Sequence, residues 1–389
     1  MRMKLPRGVV ALGLVSLTMD LSSEMIHSLL PVFLVTVLGA SAMSVGFIEG
    51  IAEATASIAK IFSGVISDWV GRRKPLVLIG YGMAALTKPL FPLATGVSAV
   101  LVARFLDRIG KGIRGAPRDA LIADITPAAQ RGAAYGLRQA MDTFGAFAGP
   151  LAAMGLLAAS HDDFRLVFWV AVIPAVVCVL LIAFVVEEPE TARSAAKMRF
   201  PITRAGLARL GSRFWWVVAF AAVLTLARFS EAFLLLRAEN VGLAATWVPL
   251  ILIVMNVVYA ASAYPFGMLS DKVSRRTLLV WGVIFLIAAD IVLALAANAW
   301  AVGLGAAIWG LHMGATQGLL SALVAGAAPA DLRGTAFGVF NLVSGVALLA
   351  ASVIAGGLWT WAGPAMTFYA GAAFSLVALA GLVAPRRAG

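Results

Sequence analysis

Charge, histidine and cysteine are scarce in this chain. Only 13% of its 389 residues are charged, three are histidine and one is cysteine. A soluble domain is about 25% charged and about 45–50% apolar. A chain that is 61% hydrophobic cannot cover itself with a polar shell, so the soluble class is excluded. Intrinsic disorder is excluded by the same numbers, since it requires low hydrophobicity. The lone Cys178, set in the apolar run VVCVLLIAFVV, leaves no internal disulfide and no reading of redox compartment. No P-loop, H-E-x-x-H or G-x-S-x-G pattern occurs, so neither ATP nor hydrolase chemistry is indicated, and no cofactor is expected.

Long apolar runs are abundant instead. A membrane-spanning helix takes about 20 mostly apolar residues. Runs between charge clusters place spans near 8–38, 44–67, 75–94, 98–124, 131–157 and 164–186, then near 214–236, 244–269, 277–296, 300–326, 334–358 and 363–384. The basic and apolar N-terminal segment resembles a signal peptide, but its apolar stretch runs on to Leu38 and reads as a first membrane helix. The long polar stretch 187–213 divides the chain into 1–186, a linker, and 214–389.

The excess of base, 30 Lys and Arg against 19 Asp and Glu, follows topology. Nineteen basic residues fall at the termini, in the even-numbered loops and in the linker, whereas the opposite loops hold Arg165 and Arg237. The positive-inside rule therefore places both termini and the linker in the cytoplasm. A nucleic-acid partner is not needed to explain the charge.

The two halves repeat one another. Gly64-Val-Ile-Ser-Asp68-Trp-Val-Gly71-Arg72-Arg73-Lys74 is matched 203 residues later by Gly267-Met-Leu-Ser-Asp271-Lys272-Val-Ser-Arg275-Arg276. Pro127…Arg131-Gly132-Ala-Ala-Tyr135-Gly136 returns 202 residues later as Pro329…Arg333-Gly334-Thr-Ala-Phe337-Gly338. Ser23-Glu24 has a counterpart in Ser230-Glu231. Two related blocks at offsets within one residue of each other indicate duplication. With these blocks the chain resembles the major facilitator superfamily. That resemblance implies an all-α polytopic membrane protein of twelve transmembrane helices in two pseudo-symmetric six-helix bundles, with a substrate site near mid-membrane.

The same resemblance assigns a cytoplasmic gate to Gly64, Asp68, Gly71, Arg72 and Arg73, facing Asp124, with a weaker second copy at Asp271 and Arg275. Gly145-Ala-Phe-Ala-Gly149-Pro150 is similar to the glycine–proline element of the antiporter branch. Small residues at this spacing let helices approach, and Pro150 is expected to kink its helix.

Span four is unusual because it carries Arg104, Asp107, Arg108, Lys111, Arg114, Arg118 and Asp119. At 100° per residue these side chains fall within an arc of roughly 140°. Charge in the bilayer interior costs at least about 2.5–3.5 kcal/mol per residue, so the stripe must border water or counter-ions. Acids on neighbouring spans, Asp20, Glu24, Glu49, Glu53 and Asp142, balance it, with His27 and Arg138 beside them. The arrangement reads either as fixed structural pairs or as an ion-handling site. Proton coupling is assigned to Glu24 and Glu53, then Asp20 and Asp142. The substrate cavity is assigned to His27, Glu49, Arg108, Lys111, Arg114, Arg118 and Arg138. The sparser second half adds Glu231, Tyr259, Trp309, His312 and Gln317, and apolar lining is expected from Phe33, Phe144, Phe147, Trp247, Met255 and Met313.

The resulting expectation is a proton-coupled antiporter that exports small organic molecules by alternating access, as a monomer in a bacterial inner membrane. Its partners are the small-molecule substrate, protons and the bilayer, with neither ATP nor nucleic acid. An alternative is export of a divalent transition metal through Glu24, His27 and Glu53. Organic-anion transport or a non-transporting scaffold on the same fold stands lower.

Overall fold

The computed structural model of the chain describes residues 6–70, 72–127, 130–187, 207–269, 273–329 and 332–383. Among them lie twelve helical spans: α1 (Arg7–His27), α2 (Ala42–Val70), α3 (Lys74–Thr87), α4 (Val97–Ile125), α5 (Arg131–Ala159), α6 (Phe164–Phe184), α7 (Ser212–Ala227), α8 (Leu250–Leu269), α9 (Arg275–Leu295), α10 (Ala299–Ala327), α11 (Arg333–Ala362) and α12 (Pro364–Val383). Each corresponds to one of the spans read from the sequence. Nine helical stretches among the described residues are long and apolar enough to cross a membrane.

Three helices are interrupted inside stretches that the sequence reads as single spans. After α1 the chain breaks at Ser28–Leu29, then continues through Leu30–Val32 and a π-helical turn, Phe33–Val37. After α3 it resumes at Leu90–Leu93, with Pro89 and Pro92 denying the backbone two donors. After α7 the break falls at Arg228–Ser230, and Ala232–Asn240 completes the span.

The residues group into two compact units, Met1–Phe33 with Thr55–Pro201, and Leu34–Ala54 with Ile202–Gly389. In the first unit α1 packs on α5 and α6, and α3 packs on α4 and α6. In the second, α7 packs on α11 and α12, and α9 packs on α10 and α12. The same partners recur at equivalent positions, so the sequence repeat is also a packing repeat. Ala42–Ala54 of α2 belongs to the second unit, where Cβ atoms at Gly50 and Gly356 would lie within 3.0 Å of Leu349 and of Ala42 and Met43.

Two helix ends on the sparsely charged side are closed by arginine. Arg165, at the start of α6, donates to the carbonyls of Pro92 and Ala94, at 2.5 and 3.0 Å. Arg237, in the continuation of α7, donates to Leu293, Ala294 and Ala296, at 3.0, 3.2 and 2.8 Å. Terminal carbonyls of a helix have no partner within it. The two cations that depart from the inside-positive pattern therefore finish the third span of each unit.

Candidate functional site

The first unit encloses a cavity of about 380 Å³ between α1, α2, α4 and α5. Its charged lining is Asp20 and Glu24 from α1, Lys60 from α2, Lys111, Arg114 and Arg118 from α4, and Asp142 from α5. Local sequence explains the assembly. The stripe of α4 points its charges one way, and Asp20 and Glu24 stand four residues apart on one face of α1.

Close helix approach completes it. A Cβ at Gly145 would sit 2.6 Å from the Leu17 carbonyl, and one at Gly149 would sit 2.6 Å from Glu24 Cβ. Lacking those carbons, α5 lies directly against α1 and brings Asp142 to Asp20. The carboxyl groups of Asp20 and Asp142 face each other within hydrogen-bonding reach, with Lys111 in electrostatic range of both. Arg138 Nη1 stands 3.7 Å from Asp142. The helix α5 runs on through Pro150 without interruption.

Next to the cavity lies a buried charge cluster. Lys88 Nζ donates to Asp107 Oδ1 and to Ser23 Oγ, each at 3.0 Å. His27 takes contacts from Arg104 and from Arg108, the latter at 3.2 Å, and stands 3.6 Å from Glu24. Thus His27 and Arg108 serve this cluster and do not line the cavity. Arg118 is held by Asp119, Ser16 and Tyr81, at 3.1, 3.2 and 3.3 Å.

At the opposite end of α2, Arg73 Nη1 donates to Ser67 Oγ at 2.6 Å and Nε lies 3.5 Å from Asp124. Arg72 is exposed. Gly71 and Asp271 lie outside the described residues, as do the side chains at Gly64, Asp68, Arg275 and Gln317.

Several expected residues fall elsewhere. Glu49, buried, and Glu53, half-buried, sit on the part of α2 that groups with the second unit. Phe33 packs on Phe164 and Phe168, Trp309 packs on Phe229, and Met255 is fully buried, so all three are core. Phe144 and Trp247 are more than half exposed, and Phe147 and Met313 do not line the cavity either. In the second unit His312 donates through Nδ1 to the Gly282 carbonyl at 2.7 Å, and Arg228 lies in electrostatic range of Glu231, Tyr259 and His312. Among the described residues no three His, Cys, Asp or Glu side chains gather as metal ligands, and Glu24, His27 and Glu53 do not form such a set. Sequence reading passed over Tyr81 and Ser16 as partners of Arg118. Their only signal was a hydroxyl group on a spanning helix.

Comparison with known proteins agrees with this architecture. The Major Facilitator Superfamily profile matches residues 12–236 and 232–388. An uncharacterized MFS-type transporter of Methanocaldococcus jannaschii is 32% identical over 380 residues, covering 96% of this chain and 94% of that protein. Multidrug resistance protein MdtH of Photorhabdus laumondii is 31% identical over 144 residues, 37% of this chain and 35% of its own. Among solved structures, the nucleoside transporter NupG superposes with a TM-score of 0.83 at 12% identity, over 96% of this chain and 98% of its own. A bacterial homologue of the lysosomal transporter Spinster gives 0.73 at 16% identity, over 96% and 95%. Repeat, twelve spans and whole-length likeness converge: this multi-pass membrane protein belongs to the Major Facilitator Superfamily of transporters.

Proposed function

We propose that the chain is a proton-coupled antiporter that exports small organic molecules from the α1–α2–α4–α5 cavity by alternating access. The Asp20–Asp142 pair carries this reading. Two carboxyl groups hydrogen-bond to each other only while a proton lies between them. A pair of this kind, lining a cavity beside Lys111, exchanges a proton for a basic group of a ligand. Protonation cancels the negative charge that holds the ligand, so proton entry and ligand release are linked with the sign an exchanger needs. Only such differential affinity can bias one orientation over the other. Glu24 lines the same cavity and serves as a second proton carrier.

Two observations support export by exchange. Gly145 and Gly149 set α5 on α1, giving the antiporter-like element a physical task. The partial likeness to a multidrug resistance protein points the same way. In this reading residues 1–186 and 214–389 form the two bundles, the 187–213 linker and both termini face the cytoplasm, and the protein works as a monomer in a bacterial inner membrane. Metal export through Glu24, His27 and Glu53 has no ligand cluster behind it.

The test uses purified full-length protein in proteoliposomes and a panel of drugs and amine-bearing metabolites. An imposed pH gradient is expected to drive uptake of a transported compound, with proton movement in the opposite sense. Asp20→Asn with Asp142→Asn, which fixes the pair in its uncharged form, should abolish the response to the gradient and weaken binding of amine-bearing compounds. A flux indifferent to the gradient in the unaltered protein refutes proton coupling.

A further inference from the structure

The cavity's arginines are not equally occupied. Arg118 spends its donors on Asp119, Ser16 and Tyr81. Arg114, one turn earlier, is only 5% exposed, and its Nη1 is buried without a hydrogen-bond partner. Its guanidinium carbon lies 4.4 Å from the centroid of the Tyr81 ring, which holds the planar group in one orientation. Withdrawal is blocked, because the backbone of α3 at Gly80 is so near that a Cβ there would be 2.7 Å from Arg114 Cβ. A buried donor left unmade is costly, and more so when charged. A pre-oriented guanidinium with an unpartnered donor matches a carboxylate, which would accept a charge-assisted bond from it. The other wall presents the carboxyl groups of Asp20, Glu24 and Asp142.

We infer that the cavity takes an amphoteric ligand, whose carboxylate binds Arg114 while its ammonium group meets the carboxyls of α1 and α5. This rests on the reading that the cavity is the transport site. It adds the anionic half of the ligand, which exchange of a basic group does not require. A volume of about 380 Å³ lies within the range of small-molecule sites, about 300–1,000 Å³, so an ω-amino acid fits.

Three probes of equal length separate the contributions: 6-aminohexanoate, hexylamine and hexanoate. Binding is followed by thermal stabilisation of the full-length protein, and transport by efflux from proteoliposomes. The zwitterion should half-saturate at a concentration at least about tenfold below either relative, as a charge-assisted bond warrants. Arg114→Gln should erase that margin, a loss on the order of ten- to hundredfold for 6-aminohexanoate, with hexylamine unchanged. Arg114→Lys, which keeps the charge but not the fork, should fall between, and serves as the readout if the Gln variant melts early. Equal binding of hexylamine and 6-aminohexanoate overturns the inference, as does a margin untouched in both variants. Gly115→Leu separates the two failures, since a Cβ at Gly115 meets nothing within 4 Å and the larger side chain fills the cavity. If that variant blocks hexylamine efflux while Arg114→Gln is silent, the amphoteric ligand alone is refuted. If it transports normally, the cavity is not the transport site and both readings fall.

Discussion

Lys88 Nζ lies 3.0 Å from Asp107 Oδ1, with the lysine fully buried and the aspartate side chain 3% exposed. A sealed pair of this kind is expensive to break and cheap to replace. Deleting one partner strands a charge at a cost of about 3–5 kcal/mol, whereas an apolar pair of similar volume is close to neutral. We expect Lys88→Met and Asp107→Leu each to lower thermal stability sharply, and the double variant to regain most of the loss. A double variant no better than the worse single one refutes a purely mutual role and points to Ser23, His27 and Arg108 as further dependants.

The contact of α5 with α1 makes a second expectation. Alanine at Gly145 or Gly149 would push the helices apart, and overpacking of this kind costs about 1–3 kcal/mol. Each substitution should lower the melting temperature and remove transport. Gly155→Ala is the comparison, since its Cβ meets nothing within 4 Å, and it should stay within about 0.5 kcal/mol of the parent.

The two arginine-closed helix ends are testable by the same measurement. Arg165→Ala strands two carbonyls, and Arg237→Ala strands those of Ala294 and Ala296 and leaves Leu293 only the Ala296 amide. A loss of about 1–3 kcal/mol is expected for each. Lysine at Arg237 should recover only part, because a single ammonium lacks the spread of donors that reaches three oxygens.

The single cysteine gives a simple probe of wetting. Cys178 is fully buried, with Sγ 3.3 Å from the Val15 carbonyl, so a water-soluble maleimide should leave the parent protein unlabelled. Ser57→Cys and Gly115→Cys, both at cavity-lining positions, should take up close to one label per chain. Failure of both to react shows the cavity to be closed to water.

Much of the fold was legible because a helix that crosses hydrocarbon takes about 20 mostly apolar residues, and clusters of charge mark the ends of most such runs. The breaks at Ser28–Leu29 and Arg228–Ser230 were not legible. Neither contains proline or glycine, and polar residues such as Ser28, Arg228 and Ser230 occur inside unbroken helices as well, so hydropathy does not mark the bend. The charged face of α4 was readable from its 100° periodicity, as were Asp20, Glu24, Lys111, Arg114, Arg118 and Asp142 around one cavity. Which arginine is spent on the protein was not. Arg118 and Arg114 are one turn apart, and the positions of Ser16, the Tyr81 hydroxyl and the Asp119 carboxylate distinguish them. Aromatic content misled for a related reason: Phe33, Met255 and Trp309 suit an apolar cavity and a packed core equally well, and burial places them in the core.

Arg165 and Arg237 reach matching targets from unlike origins, one opening the sixth span and the other completing the seventh. After duplication, then, the constraint that persisted was a set of exposed oxygens rather than a residue at a fixed address. Each copy answered it with whichever nearby guanidinium could reach. Kinship between the halves is in this respect written in the demands of the main chain, where an alignment of side chains would not detect it.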